Sequence, residues 1–396
     1  MKILVINAGS SSLKYQLFDM DGGKVLAKGN CECIGTGGIV THRKTGAEPY
    51  RQERPLPTHD EALEAVLALL TDPEHGVITD ISEIDAVGHR IAHGGEKCRK
   101  SMRLDDETIT YIESIVPINP LHGPPALKGI RGCRRLMKDT PQIGVFDTSF
   151  YGDIPDYAYI YPLPYELYEQ HRIRRYGFHG TSHRYVSAKA AELLGRPLSE
   201  LRMVTCHLGN GSSITAVDHG KAIDTSMGFT PQEGILMGTR SGSLDPTVIT
   251  YMINSLGMSG KDVEDILNRK SGLLGVSGVS NDARDVTKAA AEGNYRAQLA
   301  LDILVHGIKK HIGSYIAEMN GIDVLVFTAG LGENDIALRQ RVCDKMDFFG
   351  IAVDPEKNNV RSETREITAD GARVRTFVIP TDEEYMIALD TEALAR

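Results

Sequence analysis

The chain lacks long hydrophobic runs and a surplus of basic residues. None of its stretches approaches the roughly 20 consecutive apolar residues that a membrane-spanning helix needs. The first apolar run stops at Asn7, which is too short for the core of a secretory leader. Lysine and arginine total 44 against 53 acidic residues, so the net charge of −9 argues against nucleic acid or an anionic membrane as a general partner. Any anionic ligand must therefore be held by local cations.

Paired cysteines and several familiar catalytic motifs are also absent. The six cysteines form no Cys-x2-Cys pair, which is typical of reduced thiols, so a cytoplasmic location is expected. There is no Gly-x-Ser-x-Gly elbow, no His-Glu-x2-His zinc motif and no Gly-x4-Gly-Lys-[Ser/Thr] phosphate loop. Hydrolase and zinc-enzyme functions therefore lose their main support. With 41% hydrophobic residues over 396 positions, the chain can bury the cores of two domains.

The most informative segment is a glycine- and serine-rich hairpin at the start of the chain. Residues 3–6 are predicted to form a buried strand, residues 8–12 a tight turn and residues 13–18 a returning strand. Gly9 lets the backbone approach a ligand closely, the serine hydroxyls and turn N–H groups can face an anion, and Lys14 adds a positive charge. Taken alone, the segment favours a phosphate site no more than an ordinary polar hairpin.

A second hairpin of the same pattern follows about half a chain later. In residues 203–220 an apolar strand leads into a Gly/Ser turn that contains Gly209 and Gly211, and then into a returning strand. Gly9 and Gly211 are 202 positions apart (211 − 9) in a chain of 396 residues. The repeat predicts a duplicated α/β domain, with a cleft in which both hairpins face one polyphosphate.

Three further segments place a cation among glycines, and one places an acid at a strand end. The cations are Arg90, His179 and Arg240. Each alone is more often a surface or structural residue, but three together predict an anion that is clasped from several sides. Asp147 follows a buried strand, where α/β sheets bind ligands, so it is a candidate for metal binding or catalysis, with turn capping as the alternative.

The remaining pattern predicts mostly helices. Proline-rich residues 117–126 are predicted to be a loop before a helix from about 127 to 137. Residues 323–334 have the general form of strand, glycine turn and helix that nucleotide sites use. Residues 381–384 are predicted to be a capping box that opens a final helix through Leu394.

Together these motifs resemble the acetokinase family, which belongs to the superfamily of acetate and sugar kinases, heat-shock ATPases and actin. The resemblance covers essentially the whole chain. One family signature is Asn7-Ala-Gly-Ser-Ser-Ser-Leu-Lys14, and the other spans residues 224–241. Supporting motifs lie at residues 88–96, 146–149, 175–183, 207–211, 328–334 and 380–384.

The resemblance implies two ribonuclease-H-like domains with a nucleotide cleft between them, each a mixed sheet flanked by helices. Residues 1–148 and 384–396 would form the N-terminal domain, and residues 149–383 the nucleotide-binding and dimerisation domain. It further implies a homodimer that catalyses reversible in-line phosphoryl transfer from ATP to acetate, giving acetyl phosphate and ADP. The metal would be Mg2+, with Mn2+ as an alternative.

The resemblance also implies a role for each matching residue. Asn7 and Glu383 would serve the metal, and Asp147, His179 and Arg240 would be catalytic. Arg90 would bind the carboxylate beside an apolar pocket of Ala92, Leu121, Phe178 and Pro231. The nucleotide would be held by Lys14, His207, Leu208, Gly209, Asn210, Gly211, Asp282, Ala283, Arg284, Gly330, Leu331, Gly332, Glu333 and Asn334.

Two physical considerations refine these roles. A carboxylate acceptor, with a pKa of about 4 to 5, is already ionised at neutral pH and needs no base, so Asp147 is expected to act mainly on Mg2+ and on orientation. Ala92 stands where many family members have valine, which leaves room for about one extra carbon. Propionate is therefore the runner-up substrate. Gly123 and Ser243 also depart from the usual asparagine and aspartate.

Two other functions remain open on the sequence. A sugar kinase of the same superfamily would need Asp147 as a true base for a hydroxyl, and rates with glycerol or hexoses against acetate would separate the two. A non-enzymatic ATP-dependent clamp of the heat-shock or actin type would not require Arg90, His179 and Arg240 to surround one phosphoryl group.

Overall fold

A computed structural model describes all residues, 1–396, and the chain divides into two compact units. Unit 1 comprises Met1–Gly152 and Asp382–Arg396, and unit 2 comprises Asp153–Thr381. These divisions lie a few residues from the boundaries at 148 and 383 that the family resemblance implies. None of the helices combines the length and apolarity that crossing a bilayer would require.

Unit 1 is built on eight strands and four helices, the last of which is the C-terminal helix of the chain. In chain order before that helix these are β1 (Lys2–Ala8), β2 (Leu13–Asp19), β3 (Lys24–Glu32), β4 (Ile39–Lys44), β5 (Tyr50–Glu53), α1 (His59–Leu70), β6 (Ala86–Ile91), β7 (Met102–Arg103), α2 (Asp106–Ser114), α3 (Gly123–Leu136) and β8 (Gln142–Phe146).

Unit 2 contains six strands and ten helices, after which the chain returns to unit 1. Its elements are α4 (Asp156–Tyr159), α5 (Tyr165–His171), α6 (Gly180–Leu194), β9 (Arg202–Leu208), β10 (Ser212–Asp218), β11 (Lys221–Thr225), α7 (Pro246–Asn254), α8 (Gly260–Arg269), α9 (Gly272–Ser277), α10 (Ala283–Ala291), α11 (Tyr295–Glu318), β12 (Val324–Thr328), α12 (Ala329–Asn334), α13 (Ile336–Cys343), β13 (Arg365–Glu366) and β14 (Arg375–Val378). The C-terminal helix is α14 (Glu383–Ala395).

The two sheets repeat one strand order. In unit 1 the order is β5-β4-β3-β2-β1-β6-β8-β7, with β1, β6 and β8 parallel and β1 and β2 an antiparallel hairpin. In unit 2 the order is β11-β10-β9-β12-β14-β13, with β9, β12 and β14 parallel and β9 and β10 the hairpin. The order β3-β2-β1-β6-β8 in unit 1 thus corresponds to β11-β10-β9-β12-β14 in unit 2. The predicted α/β fold with a duplicated mixed sheet is confirmed.

The end of the chain returns to the first sheet because α14 has an apolar face that matches it. Ile387 and Ala388 pack with Ile3, Val5, Phe18, Ala86, Ile143 and Val145 in one buried cluster. On β6, Gly88 makes room for the helix: a Cβ at this position would lie 2.3 Å from Thr391 Oγ1. Glycine is therefore required at Gly88 by close packing and not by its backbone angles.

Two predicted helix starts were wrong. The α14 N-cap is Asp382, whose Oδ1 accepts the N–H of Tyr385 at 2.9 Å, and no capping box formed by Thr381 and Glu384 is present. Helix α3 begins at Gly123, four residues before the predicted start. Pro124 and Pro125 lie in its first turn, where a missing N–H costs nothing because that group has no intrahelical partner.

Candidate functional site

In unit 1, three of the predicted site residues reach the same edge of the sheet. In the parallel ladders Ile6 lies opposite His89, so Asn7 and Arg90 come next along their strands, and the Asp147 N–H bonds the Ile91 carbonyl at 2.9 Å. Ligands of α/β sheets bind at the carboxyl ends of parallel strands. The strand order thus places Asn7, Arg90 and Asp147 where such a ligand would lie.

Arg90 is the centre of a charged cluster at this edge. Its Nη2 lies 2.8 Å from Asp147 Oδ2 and its Nε lies 3.3 Å from Glu383 Oε2, at the start of α14. A second Arg90 contact, from Nε to Asp147 Oδ1, measures 3.3 Å. The two carboxylates raise the pKa of Arg90, which is therefore always charged. The interpretations of Arg90 as a surface loop residue and of Asp147 as only a turn cap do not hold, because both are tied into this ion pair.

The acids around Arg90 fit the needs of Mg2+. This ion prefers oxygen ligands, keeps several waters and is usually held by one or two carboxylates together with substrate phosphates. Asp147 and Glu383 offer two carboxylates, Glu384 is a third acid next to them, and Asn7 adds an amide oxygen at the same sheet edge. Burial raises the pKa of Glu384, which the pull of a bound cation would offset. No group of three or more acidic, histidine or cysteine side chains is arranged to hold a metal ion by itself.

In unit 2, His179 and Arg240 converge on the second hairpin. A Cβ added at Gly211 would lie 3.3 Å from Arg240 Nη1 and 3.5 Å from His179 Nε2. The absence of a side chain at Gly211 thus leaves room for a ligand atom beside both the guanidinium and the imidazole. At the other glycine of this turn, Gly209, an added Cβ would lie 3.1 Å from the Gly211 carbonyl oxygen and 3.9 Å from His207 Nε2.

His179 has an unusual backbone conformation. It precedes α6 with φ 58° and ψ 22°, in the left-handed region that non-glycine residues seldom occupy. Such strain is maintained only where surrounding contacts compensate for it, and it is concentrated at functional sites. Here the ring Nδ1 lies 2.8 Å from Ser213 Oγ and the ring stacks on His207 with centroids 4.1 Å apart.

Arg240 is a partly buried cation with no carboxylate beside it. Its Nη1 donates to the carbonyl of Pro231 at 3.1 Å and contacts Met237 Sδ at 3.7 Å. Burial lowers the pKa of Arg240, and no acid counteracts that shift. A desolvated guanidinium whose charge is not neutralised by the protein attracts an anionic ligand strongly.

Beside this hairpin lies a cavity of about 1160 Å³, formed entirely by unit 2. Pockets for small molecules typically have volumes of about 300 to 1000 Å³, so a nucleotide fits. Eight of the residues assigned to the nucleotide line it: Gly209, Asn210, Asp282, Ala283, Arg284, Gly330, Leu331 and Asn334. Asp282 is the N-cap of α10, and its bonds to the Arg284 side chain lower the pKa of Asp282 to about 2.

Six of the assigned nucleotide residues do not line the cavity. Leu208 is in the hydrophobic core, Gly332 is buried within α12, and Glu333 accepts the N–H of Thr381 at 3.2 Å. His207 and Gly211 lie beside His179 instead, at the hairpin. Lys14 belongs to unit 1, where it is exposed on β2 opposite Asn7.

The glycine turn predicted within residues 323–334 has a different form in the structure. Helix α12 follows β12 directly, and the sharp change of direction is made by Ala329, with φ 62°, and not by a glycine. Gly330 has no heavy atom within 4 Å of an added Cβ, so its lack of a side chain leaves open space at the cavity wall.

Several cavity residues were missed from the sequence. They are Ser212, Leu236, Met237, Gly238, Leu273, Asn281, Thr287, Leu304, Asp335, Ile336, Ala337, Gln340, Pro355, Asn358 and Arg361. Most are apolar or lie on helices whose pattern indicates only a buried face. Gly238 could have been noticed because it lies in the glycine-rich signature at residues 224–241. In the structure, an added Cβ at Gly238 would lie 1.9 Å from Asn210 Oδ1. The glycine content of residues 224–246 is thus explained in part by packing against the hairpin.

The residues assigned to the apolar acceptor pocket lie in both units. Ala92 follows β6, two positions after Arg90, and Leu121 is 63% exposed ahead of α3. Phe178 is buried with Met227 and Met237, and the carbonyl of Pro231 holds Arg240. Ser243 supports the same loop: its N–H donates to the Gly234 carbonyl at 2.8 Å and its Oγ accepts the Gly234 N–H at 3.1 Å.

Comparison with known proteins decides the family. The model of the acetokinase family matches residues 2–389. The chain belongs to the acetokinase family. The acetate kinase of Caldanaerobacter subterraneus subsp. tengcongensis is 55% identical over 398 aligned positions, which cover 100% of this chain and 99% of that protein.

Two solved structures of the same family share the fold over the full length. The Porphyromonas gingivalis acetate kinase is 46% identical with a TM-score of 0.96, and covers 100% of both chains. A propionate kinase from Francisella tularensis subsp. tularensis is 39% identical with a TM-score of 0.92, and covers 99% of both chains. Acetokinase membership identifies the chain as a phosphotransferase that acts on a carboxyl group.

Proposed function

We propose that this acetokinase transfers the terminal phosphoryl group of ATP to acetate, forming acetyl phosphate and ADP, and catalyses the reverse reaction. The observation that carries the proposal is the arrangement around Gly211. There an arginine without a carboxylate partner and a strained histidine flank a glycine turn at the rim of a cavity large enough for a nucleotide. That combination suits the terminal phosphate of a bound nucleotide.

Each unit supplies a different part of the reaction. Unit 2 would hold the nucleotide in its cavity, with the transferring phosphoryl group near Arg240 and His179. In unit 1, Asp147, Glu383 and Asn7 would hold Mg2+, which would neutralise phosphate charge and align the reacting oxygens. Arg90 is held by both acids, so it would serve first to position them. It could bind the acceptor carboxylate through donors that those contacts leave available.

The acceptor needs no general base. Acetate is ionised at neutral pH, and phosphoryl transfer depends above all on positioning and on stabilising negative charge. Asp147 is 3% exposed and shares Arg90 with Glu383, so it acts on the metal and on orientation and not as a proton acceptor. This distinguishes the carboxylate kinase from a sugar kinase, in which a hydroxyl must lose its proton.

Arg240→Ala should lower kcat by about a thousandfold or more, because the guanidinium stabilises charge that spreads over the phosphoryl oxygens in the transition state. The Kd for ATP, measured by calorimetry, should change by only a few fold. Arg361→Ala is the matched control: this arginine lines the cavity, so its loss should weaken nucleotide binding more than it lowers kcat. Loss of ATP binding as the main effect of Arg240→Ala would contradict the assignment.

The acceptor range follows from the size of residue 92. Initial rates with acetate, propionate and butyrate, in the presence of Mg2+, should give kcat/KM highest for acetate or propionate and much lower for butyrate. Ala92→Val should reduce propionate use relative to acetate by about tenfold, as expected for one methylene in an apolar pocket. No turnover is expected when EDTA removes the divalent ion. Faster turnover with glycerol or a hexose than with either acid would refute the carboxylate-kinase proposal.

We also propose that the chain forms a homodimer through unit 2. Helix α7 buries none of its residues, and Val248, Tyr251 and nearby Leu256 are 45%, 59% and 55% exposed. Clustered apolar residues of this kind mark interaction surfaces. Light scattering should give twice the 43.3 kDa mass of the chain, and Tyr251→Lys should shift the protein toward monomer. A wild-type protein that remains monomeric at micromolar concentration would contradict the proposal.

A further inference from the structure

A chain of hydrogen bonds leads from the interior of unit 2 to the ring of His179. Thr205 Oγ1 lies 2.7 Å from His183 Nδ1, and His183 Nε2 lies 2.7 Å from Ser213 Oγ. Ser213 Oγ in turn lies 2.8 Å from His179 Nδ1. Thr205, His183 and Ser213 are fully buried. We call this set the Thr205–His179 chain.

The direction of these bonds is constrained because each hydroxyl has one proton. Burial and the neighbouring His207 hold the pKa of His183 well below its usual value, so this ring is neutral and has one N–H donor and one bare acceptor nitrogen. Ser213 can donate to only one of its two histidines. Once one bond in the chain has a direction, the others follow.

Thr205 decides that direction. The only side-chain hydrogen bond of its hydroxyl is the one to His183 Nδ1. If His183 donated from Nδ1, the Thr205 hydroxyl proton would be buried without an acceptor, which is costly. With Thr205 donating instead, His183 donates from Nε2 to Ser213, and Ser213 donates to His179 Nδ1. Every buried proton then has an acceptor, and His179 carries its own proton on Nε2.

A second chain of hydrogen bonds fixes the same tautomer in His207, whose ring stacks on that of His179. Thr381 Oγ1 donates to Ser182 Oγ at 2.7 Å, so the Ser182 hydroxyl can donate to His207 Nδ1 at 2.8 Å. His207 is then also protonated on Nε2. His207 Nε2 lies 3.9 Å from the Cβ position that would be added at Gly209, and His179 Nε2 lies 3.5 Å from the one at Gly211. Two parallel imidazoles thus direct N–H donors toward the same glycine hairpin.

We propose that Thr205, His183 and Ser213 are positioning residues that fix His179 as the neutral tautomer with its proton on Nε2. His179 then donates this hydrogen bond to an oxygen of the transferring phosphoryl group, while Arg240 supplies the positive charge. No proton is transferred in this step. The role in phosphoryl transfer rests on the proposed function, whereas the tautomer itself does not.

The tautomer can be measured directly on the full-length wild-type chain. Imidazole nitrogen NMR of protein labelled with 15N-histidine distinguishes protonated from bare ring nitrogens, and His179→Asn and His183→Gln identify the two signals by their loss. Both rings should have a protonated Nε2 and a bare Nδ1 at neutral pH. A protonated Nδ1 on either ring would overturn the proposal.

Kinetics of three variants test the chain without relying on folding of any single one. Ser213→Ala should lower kcat by about ten- to a hundredfold, the range found when a partner that orients a metal-bound histidine is removed. The KM for ATP should change little. Thr205→Val should also lower kcat, and Thr205→Ser, which restores the hydroxyl donor, should recover most of the activity. Equal activity of Thr205→Val and Thr205→Ser would contradict the proposal.

Ser187→Ala is the matched control. The Ser187 hydroxyl is also buried, but it donates to the backbone carbonyl of His183 at 2.7 Å and not to its ring. This variant should keep the wild-type tautomers and kcat. If the tautomers are as expected but the protein does not phosphorylate acetate, the proposed function is wrong and the hydrogen-bond chain is supported. If the protein phosphorylates acetate but the tautomers differ, the hydrogen-bond chain is wrong and the proposed function is supported.

Discussion

The candidate site depends on one guanidinium group whose charge the protein leaves without a neutralising partner. Arg240 is desolvated and contacts the Pro231 carbonyl and a methionine sulfur, neither of which is an acid. In a chain with a net charge of −9, such a group is the kind of local cation that an anionic ligand requires. Arg90 is the contrasting case, because Asp147 and Glu383 neutralise it.

The duplicated fold explains how two similar sheets come to carry different chemistry. Both place a glycine hairpin between their first two strands and bring parallel strand ends to one edge. In unit 1 that edge carries acids around an arginine and suits a metal ion. In unit 2 it carries imidazoles fixed by buried hydroxyls, next to a nucleotide-sized cavity. The two units share the arrangement of their strands, and the side chains at the strand ends determine which ligand each unit suits.

Features that depend on backbone pattern could be predicted from the sequence. The two hairpins, their spacing and the duplicated α/β fold all follow from alternating apolar strands and glycine turns. Arg90, His179 and Arg240 were singled out by their glycine surroundings, and the family resemblance supplied their individual roles. The helix starts at Gly123 and Glu383 were misplaced, because proline is compatible with the first turn and several residues near 381 can act as caps.

The supporting side chains could not be predicted, because their contacts join residues far apart in the chain. Ser213 and His183 meet across 30 positions, and Thr381 reaches Ser182 across 199. Each is an unremarkable polar residue in its own segment. The cavity walls were missed for a similar reason, since Leu236, Leu273 and Leu304 read as ordinary core positions until the fold brings them together.

A methyl group placed beside Arg240 and His179 tests directly whether these two side chains act on the transferring phosphoryl group. Gly211→Ala would put a Cβ 3.3 Å from Arg240 Nη1 and 3.5 Å from His179 Nε2, whereas Gly313→Ala in α11 meets no atom within 4 Å and serves as the control. Gly211→Ala should lower kcat at least tenfold while the Kd for ADP changes by only a few fold. An unchanged kcat in Gly211→Ala, with Gly313→Ala also unaffected, would contradict this role of Arg240 and His179.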